Sequence, residues 1–293
     1  MSMSPRLLRP RQNIHPEAAD WASRVRANGG TAGVSLPAVN SFCKAIDAAG
    51  IRSKILRANL FCGGGGNTNA FLVPLYLGSS ISNRIGNPLD TNVGGLFVSG
   101  DYNETGPSGG LTGGATRYLT TGLLTSALPA IDTGHLAAYV MTGFSAASAY
   151  GLVASFSDGF TGTNYYGIEA NAGNTAGTMS GSWGSSFSGR ATVTSANGAG
   201  IGFVATSRVA GNDNRLYKNG SQIGTTQTAS TTPVANNGGG FSVFASMAQT
   251  ASATFYASLQ MGGYSIGTGL TAAEMAAYNT AMQTFQTALS RNV

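Results

Sequence analysis

The chain contains very few charged residues. Asp, Glu, Lys and Arg make up 9% of its 293 residues, whereas roughly a quarter is usual in soluble proteins. Between residues 63 and 268, thirteen of 206 positions are charged. Ser, Thr, Asn and Gly must then cover most of the surface. Such a surface is typical of an extracellular or particle-bound β-protein and is unusual for a cytoplasmic metabolic enzyme.

Cysteines and long apolar segments are also scarce. Cys43 and Cys62 are the only cysteines and form no CxxC motif. We expect two reduced, buried thiols, with a single bridge between them as the alternative. The longest apolar run, residues 70–77, is interrupted by Pro74, which predicts no membrane insertion. The N terminus shows no signal peptide.

The positive charge is concentrated near the N terminus. Residues 1–60 carry nine Lys or Arg and three acids, giving +6, and the other seven bases and eight acids give −1. This segment is either a basic arm that docks on an acidic partner surface or an ordinary solvated helix face. The candidate docking residues are Arg6, Arg9, Arg11, Arg24 and Arg26. Since the bases are spaced out without interleaved aromatics, nucleic acid is an unlikely partner.

Groups that catalyse hydrolysis are equally rare. Of the two histidines, His15 is interpreted as a helix-start residue and His135 as a strand-end residue. There is no G-x-S-x-G elbow and no strand with paired carboxylates. Residues 101–104 and 212–214 offer the oxygen ligands that calcium uses, but such turns are far more common than calcium sites. We therefore predict no catalytic residues, no metal site and no cofactor, in a protein that is not an enzyme.

The first sixty residues have the pattern of helices. Pro and Glu at 16–17 start one helix, which Gly29-Gly30 end. Ser35 is the predicted cap of a second helix. Residues 51–61 fit either a third helix or a strand, with the apolar spacing favouring a helix. Residues 63–66 are interpreted as a hinge.

From residue 71 onward the apolar pattern has a period of two and predicts many short strands, separated by Gly, Asn and Ser clusters. This pattern predicts an all-β sandwich. Asn219-Gly220 predicts a type I′ hairpin turn. Thr271 and Glu274 form a capping box for a closing helix. The apolar stripe of that helix either packs on the rest of the chain, which is favoured, or forms an oligomer seam.

A group of aromatic residues next to an amide is the candidate carbohydrate-binding platform. It consists of Asn164, Tyr165, Tyr166 and Trp183. The rings could stack on the apolar face of a sugar while the amide binds its hydroxyls, and the alternative is ordinary core packing of large aromatics. Binding in the millimolar range, worth about 4 kcal/mol, would be expected.

Several stretches of the chain resemble known motifs. The stretches at 110–122 (GLTGGATRYLTTG), 215–220 (RLYKNG) and 264–274 (YSIGTGLTAAE) are similar to motifs of laminin G-like, concanavalin A-like jelly rolls. Five further stretches resemble the form of this jelly roll that tailed-bacteriophage virion proteins carry. They are Ala70–Leu75, Phe97–Asn103, Phe42-Cys43, Gly50-Ile51 and Lys54-Ile55. The acidic strand motif of glucanases and the calcium ligands of lectins are not matched.

The resemblance implies a mainly β protein: a two-sheet antiparallel jelly-roll sandwich at 67–293, closed by a helix at 271–290, after a mostly helical, basic docking segment at 1–66. It implies a structural protein on the surface of a phage particle, made in the host cytoplasm without a signal peptide. The chain would be a tail fibre, baseplate or capsid decoration protein. The alternative is a secreted or particle-bound carbohydrate-active enzyme or lectin of the same superfamily.

The expected partners follow from that setting. They are other virion proteins and, as a candidate ligand, a host surface glycan. The low charge and the apolar stripe of the closing helix favour a homo-oligomer, with a trimer preferred.

Overall fold

The computed structural model describes residues 14–130, 132–142, 150–156, 165–170, 177–185, 190–194, 201–228, 240–247 and 253–293. The α-helices in these ranges are α1 (Pro16–Ala27), α2 (Leu36–Ala48), α3 (Thr68–Phe71) and α4 (Ala272–Ala288). The strands are β1 (Ile55–Asn59), β2 (Thr91–Asn92), β3 (Tyr102–Asn103), β4 (Gly110–Thr112), β5 (Leu119–Leu124), β6 (Gly134–Val140), β7 (Tyr150–Phe156), β8 (Tyr165–Ala170), β9 (Thr178–Ser185), β10 (Ala191–Thr194), β11 (Gly202–Arg208), β12 (Asn214–Lys218), β13 (Ser221–Gln227), β14 (Gly240–Val243), β15 (Ser246–Met247), β16 (Ala253–Thr254) and β17 (Gln260–Gly267).

The strands form two antiparallel sheets that pack face to face. The first sheet has the order β13-β12-β11-β6-β17-β4-β3, with β1 also paired to β17. The second has the order β10-β9-β8-β7-β14-β5-β2, and β15 and β16 form a separate hairpin. The predicted mainly β, two-sheet antiparallel jelly-roll sandwich is confirmed.

The first sheet is covered on both faces. In β6, Leu136 and Val140 belong to the core between the two sheets. The intervening Ala137 and Tyr139 belong to a second core, which they share with residues of the helices such as Phe42. Because successive side chains of a strand point to opposite faces, all seven residues of β6 are buried. This explains why the sequence of β6 is almost continuously apolar.

The N-terminal segment is part of this body. Ile55–Asn59 form a strand that pairs with β17, after a single 3₁₀ turn at Arg52–Lys54. The helix favoured for residues 51–61 is therefore wrong: Arg57 and Asn59 alternate with apolar residues at the period of a strand, and all five strand residues are buried. Trp21 of α1 also lies in the core that borders the first sheet. The division at residue 66 thus separates no independent core, and a docking role for residues 1–66 stays a prediction.

The period of two also predicts short strands at residues 71–77 and 96–99, and both are replaced by other structure. At residues 71–77 the chain leaves α3 and then runs irregularly, with one bridge between Tyr76 and Ala58. Pro74 lacks the N–H that a ladder needs there. Residues 96–99 lie where two 3₁₀ turns follow each other, Val93–Gly95 and Ser99–Asp101.

The local signals at turns and helix ends are confirmed. His15 caps α1 by accepting the N–H of Glu17 at 3.2 Å. The β12–β13 hairpin has φ of 47° at Asn219 and 79° at Gly220, as a type I′ turn requires. Thr271 and Glu274 form the capping box of α4. No described helix has both the length and the hydropathy that a membrane span needs.

The apolar stripe of α4 packs inward, as the favoured interpretation predicted. Its members are all buried: Met275, Tyr278, Met282, Phe285 and Leu289. The ring of Phe42 on α2 lies 6.1 Å from that of Tyr278 and 5.9 Å from that of Phe285. The stripe therefore cannot also serve as an oligomer seam, and it no longer supports a trimer.

Both cysteines are free and buried, as predicted. Burial raises the pKa of the Cys43 thiol to about 12. Burial likewise raises the pKa of Cys62. Since the thiolate is the reactive form, neither cysteine is a nucleophile at neutral pH.

Candidate functional site

The predicted aromatic platform is wrong, because its rings are inside the protein. Tyr165 and Trp183 are 0% exposed and Tyr166 is 2% exposed. A sugar can stack only on a ring face that solvent reaches. Asn164 lies outside the described residues.

Tyr166 and Trp183 belong to the core between the sheets. Their ring centroids are 5.2 Å apart in an edge-to-face arrangement, and Trp183 also stacks on Phe241 at 6.1 Å. The indole reaches across to the first sheet, where a Cβ on Gly134 would lie 1.9 Å from it. The core-packing alternative is the correct one for these rings.

Tyr165 and Glu169 project from the opposite face of β8. Glu169 is 1% exposed, and its Oε2 accepts a hydrogen bond from Arg190 Nη1 at 3.0 Å. Burial raises the pKa of Glu169, an effect that Arg190 opposes. The Tyr165 ring lies across Gly167, where a Cβ would come within 2.1 Å of its hydroxyl. Glu169 and Arg190 therefore form a buried ion pair between strands, and the Tyr165 ring packs closely beside it.

The carboxylates considered as calcium ligands are bound by protein donors. Asp101 pairs with Arg117, and Asp213 pairs with Arg215 at 2.5 Å. Among the described residues, no group of three or more His, Cys, Asp or Glu could hold a metal ion.

Glu104 fastens the glycine run at 63–66, which the sequence suggested was a hinge. Its carboxylate accepts the N–H groups of Gly63 and Gly64 at 2.9–3.2 Å. It also accepts hydrogen bonds from the hydroxyls of Ser35 and Tyr102. Ser35 occupies the predicted cap position of α2 but makes no side-chain cap bond, because its hydroxyl is used on Glu104.

The candidate docking arginines differ in what they contact. Arg24 donates to Asp20 and to the carbonyls of Pro74 and Leu75 at 2.6–3.0 Å, so it is an internal anchor and the docking prediction is wrong for it. Arg26 is exposed. Arg6, Arg9 and Arg11 lie outside the described residues.

His135 is a buried, neutral histidine. Its Nδ1 lies 2.6 Å from the Thr268 carbonyl, and its Nε2 lies 3.2 Å from the Ser265 hydroxyl. The carbonyl can only accept, so Nδ1 carries the proton and Nε2 accepts from Ser265. The pKa of His135 is lowered from 6.5 to about 4, mainly by burial; Lys54 acts in the same direction, and the Thr268 carbonyl and Glu274 oppose it.

Because of His135, we expect the free energy of unfolding to fall in acid. The unfolded chain binds the proton more tightly than the folded chain, so stability is full above pH 6.5 and falls as the pH drops toward 4. By pH 4 the loss should reach about 3 kcal/mol. Urea unfolding at pH 7, 5 and 4 measures it, with His135→Asn as the matched control. If the difference between parent and variant is constant over this range, the histidine is not the titrating group.

One exposed group of aromatics lies at the end of the sandwich. We call it the Tyr118 surface, and it comprises Tyr118, Phe255 and Tyr256. A turn at 114–117 places Tyr118 just before β5. The Tyr118 and Tyr256 rings are half-buried, with centroids 6.1 Å apart and planes tilted by 54°. Phe255 beside them is 39% exposed.

The segment that carries Phe255 and Tyr256 is held in place by backbone contacts. The N–H of Ala257 donates to Phe244 O, and that of Gly113 donates to Leu259 O, both at 2.8 Å. Residue 113 must be glycine, since a Cβ there would lie 2.1 Å from the Ala257 carbonyl. Phe255 itself has φ of 51°, a costly conformation for a residue with a side chain. The backbone of this segment is therefore fixed by contacts within the protein.

The residue before Tyr118 in the chain takes part in an ion pair. Arg117, 34% exposed in its side chain, pairs with Asp101, whose Oδ2 also accepts the N–H of Val98 at 2.9 Å. The surface thus offers ring faces that carry hydroxyl groups, and Arg117 precedes Tyr118 in the chain. The sequence did not single out this group, since Tyr118 and Tyr256 are far apart in the chain and meet only through the sheet order.

Comparisons with known proteins give only distant structural matches. No protein-family model and no curated protein matches the chain. Its fold resembles NanB sialidase from Streptococcus pneumoniae (TM-score 0.43, 13% identity, 57% of this chain and 27% of that one). It also resembles Trypanosoma rangeli sialidase (0.42, 12%, 58% and 27%) and a heptameric SAP-like pentraxin from Limulus polyphemus (0.37, 14%, 51% and 70%). The chain thus spans about a quarter of the sialidase chains it matches.

These matches correct one expectation. The sequence predicted a protein that is not an enzyme, and sialidases, which are enzymes, are among the structures that its fold resembles. The structures named above include no phage virion protein, so they do not support the phage setting.

Proposed function

We propose that this chain is a carbohydrate-binding jelly-roll protein that contacts glycans through the Tyr118 surface. The observation that carries the proposal is the half-buried pair of tyrosine rings, 6.1 Å apart, at the end of the sandwich. Aromatic rings with a polar tip suit a ligand that is apolar on one face and hydroxylated at its rim. The backbone that carries Phe255 and Tyr256 is hydrogen-bonded before binding, which lowers the entropic cost of ordering this segment.

The affinity of a single surface is expected to be low. Two half-buried rings offer few contacts, so we place the dissociation constant in the millimolar range, or about 4 kcal/mol. Display of several copies together would raise the apparent affinity through avidity. A homo-oligomer and attachment to a phage particle would provide such display, and both stay predictions. The exposed Arg26 is compatible with docking.

Replacing Tyr118 or Tyr256 with Ala is expected to abolish glycan binding, because each removes one of the two stacking faces. The measurement is a glycan array followed by ligand-observed NMR on the binding members. Since both rings are only half-buried, the free energy of unfolding should fall by less than about 2 kcal/mol. Leu124→Ala, at a residue 44% exposed outside this surface, is the matched control and should bind as the parent does. Undiminished binding by both tyrosine variants would refute the proposal.

A further inference from the structure

The backbone that leads into the glycine run at 63–66 has a strained conformation. We call residues 60–64 the clasp segment. Phe61 is buried and has φ of 41°, which is costly for a residue with a side chain. Gly63 has φ of 84°, and a Cβ there would lie 2.9 Å from the Trp21 ring. Contacts with the rest of the protein must therefore hold this backbone in place.

Arg291 holds the first half of the clasp segment. It is 0% exposed. Its Nη1 donates to the Phe61 carbonyl at 2.9 Å, and its Nη2 donates to the Leu60 carbonyl at 3.0 Å. A Cβ on Gly109 would lie 2.1 Å from the Arg291 Cδ. The guanidinium is thus confined against two carbonyls of the clasp segment.

Glu104 holds the second half. Its carboxylate accepts the N–H groups of Gly63 and Gly64, and the hydroxyls of Ser35 and Tyr102 also donate to it. Four consecutive peptide groups are therefore divided between two charges. The first two give their carbonyls to a cation, and the next two give their N–H groups to an anion. Such charge-assisted hydrogen bonds are stronger than those between neutral groups.

Cys62 lies at the centre of the clasp segment and is 1% exposed. Burial raises the pKa of its thiol, Glu104 acts in the same direction, and Arg291 opposes them. Both charged groups are thus close enough to act on this thiol. The reactivity of Cys62 therefore reports whether the clasp segment is closed.

We propose that the clasp segment is a conformational device, in which Arg291 and Glu104 hold a strained backbone closed and the detachment of either lets residues 60–64 open locally. The strain at Phe61 favours opening, and the charge-assisted hydrogen bonds oppose it. The device joins three distant parts of the chain, because the clasp segment follows β1, Glu104 follows β3 and Arg291 follows α4. A movement of the segment after α4 is thus transmitted to the segment after β1.

Thiol labelling of the full chain tests this proposal. Cys62 reports on the clasp segment, and Cys43, buried in α2, is an internal control. N-ethylmaleimide labelling under native conditions, then trypsin digestion and mass spectrometry, separates the two, since Lys44 and Arg57 lie between them. Each rate is divided by that of the unfolded chain. Cys62 should then react faster than Cys43, with the weak urea dependence that marks local opening.

Arg291→Gln and Glu104→Gln should each accelerate the labelling of Cys62 and leave that of Cys43 unchanged. The expected factor is roughly tenfold to a hundredfold, the equilibrium change for losing hydrogen bonds to a charged group. Arg291→Lys keeps the charge but lacks the planar fork that reaches two carbonyls, so its rate should lie between those of the parent and Arg291→Gln. Asp213→Asn, at an exposed ion pair, is the matched control and should change neither rate.

Tyr102→Phe keeps the test decisive if the charge variants do not fold. It removes one hydroxyl donor to Glu104 and keeps the ring, which stacks on Phe71 at 4.6 Å. Faster labelling of Cys62 alone in this variant would support the proposal. Equal rates at Cys62 and Cys43 in the parent, both with the urea dependence of global unfolding, would overturn it. A Cys62 rate that is unchanged in every folded variant would overturn it as well.

Discussion

Replacing Trp183 with Ala is expected to lower the free energy of unfolding by about 3–5 kcal/mol. The indole is 0% exposed and fills the space between the sheets, in contact with Tyr166 and Phe241. Its removal takes away the burial energy of a large ring and leaves a cavity that the rigid sheets cannot close. The sequence left a sugar platform open as one interpretation of this ring, and an exposed platform residue would contribute little to stability.

Urea or thermal unfolding of the purified variant measures this effect. Trp183→Phe is a useful companion, because it keeps an aromatic ring in the core and should cost less than Ala. Glycan binding, where the variant folds, should persist, since the Tyr118 surface is a different group of residues. A Trp183→Ala protein as stable as the parent would contradict the burial of this ring.

Replacing Asp90 with Ala is expected to cost about 3–5 kcal/mol, because it leaves a buried arginine without its counter-charge. Asp90 and Arg57 are both buried, with Oδ1 2.7 Å from Nη2. The same oxygen accepts the Tyr264 hydroxyl at 2.7 Å, and Oδ2 accepts the Asn59 amide at 2.8 Å. Burial alone would lower the pKa of Arg57, but the Asp90 carboxylate raises it above its ordinary value.

The comparison that tests this is Asp213→Ala. Its partner Arg215 is 34% exposed in its side chain, so solvent screens the pair and the loss should stay below about 1 kcal/mol. Unfolding free energies of the two variants, measured in the same buffer, should therefore differ severalfold. Equal losses would show that the Asp90–Arg57 pair is not desolvated. The prediction matters for the fold because Arg57 and Asn59 lie on β1, so this pair joins the N-terminal segment to the sandwich.

Several parts of the fold could be predicted from the sequence. Pro16 and Glu17 marked the start of α1, Asn219-Gly220 marked a hairpin, and Thr271 with Glu274 marked the start of α4. Each of these signals depends on groups within a few residues of each other. The strand-length segments with a period of two also predicted the sandwich, since alternation reports which face of a strand is buried.

The candidate site could not be predicted in the same way. Tyr165, Tyr166 and Trp183 looked suitable for sugar binding because the same aromatic residue types occur in exposed sugar platforms and in buried cores. Burial distinguishes the two, and burial depends on what the other sheet places opposite. Tyr118 and Tyr256 carried no comparable local signal, since neither has an aromatic partner nearby except Phe255.

The sequence by itself determined the starts of α1 and α4, the Asn219-Gly220 hairpin, the low surface charge and the two-sheet class, because turns, caps and periodicity are properties of neighbouring residues. Only the tertiary structure decided that residues 55–59 form a strand, that Trp183 is core and that Asp90 meets Arg57. It also decided that Tyr118 and Tyr256 form one surface. These outcomes depend on strand pairing and packing between distant segments, and the energy of those contacts exists only once the chain has folded.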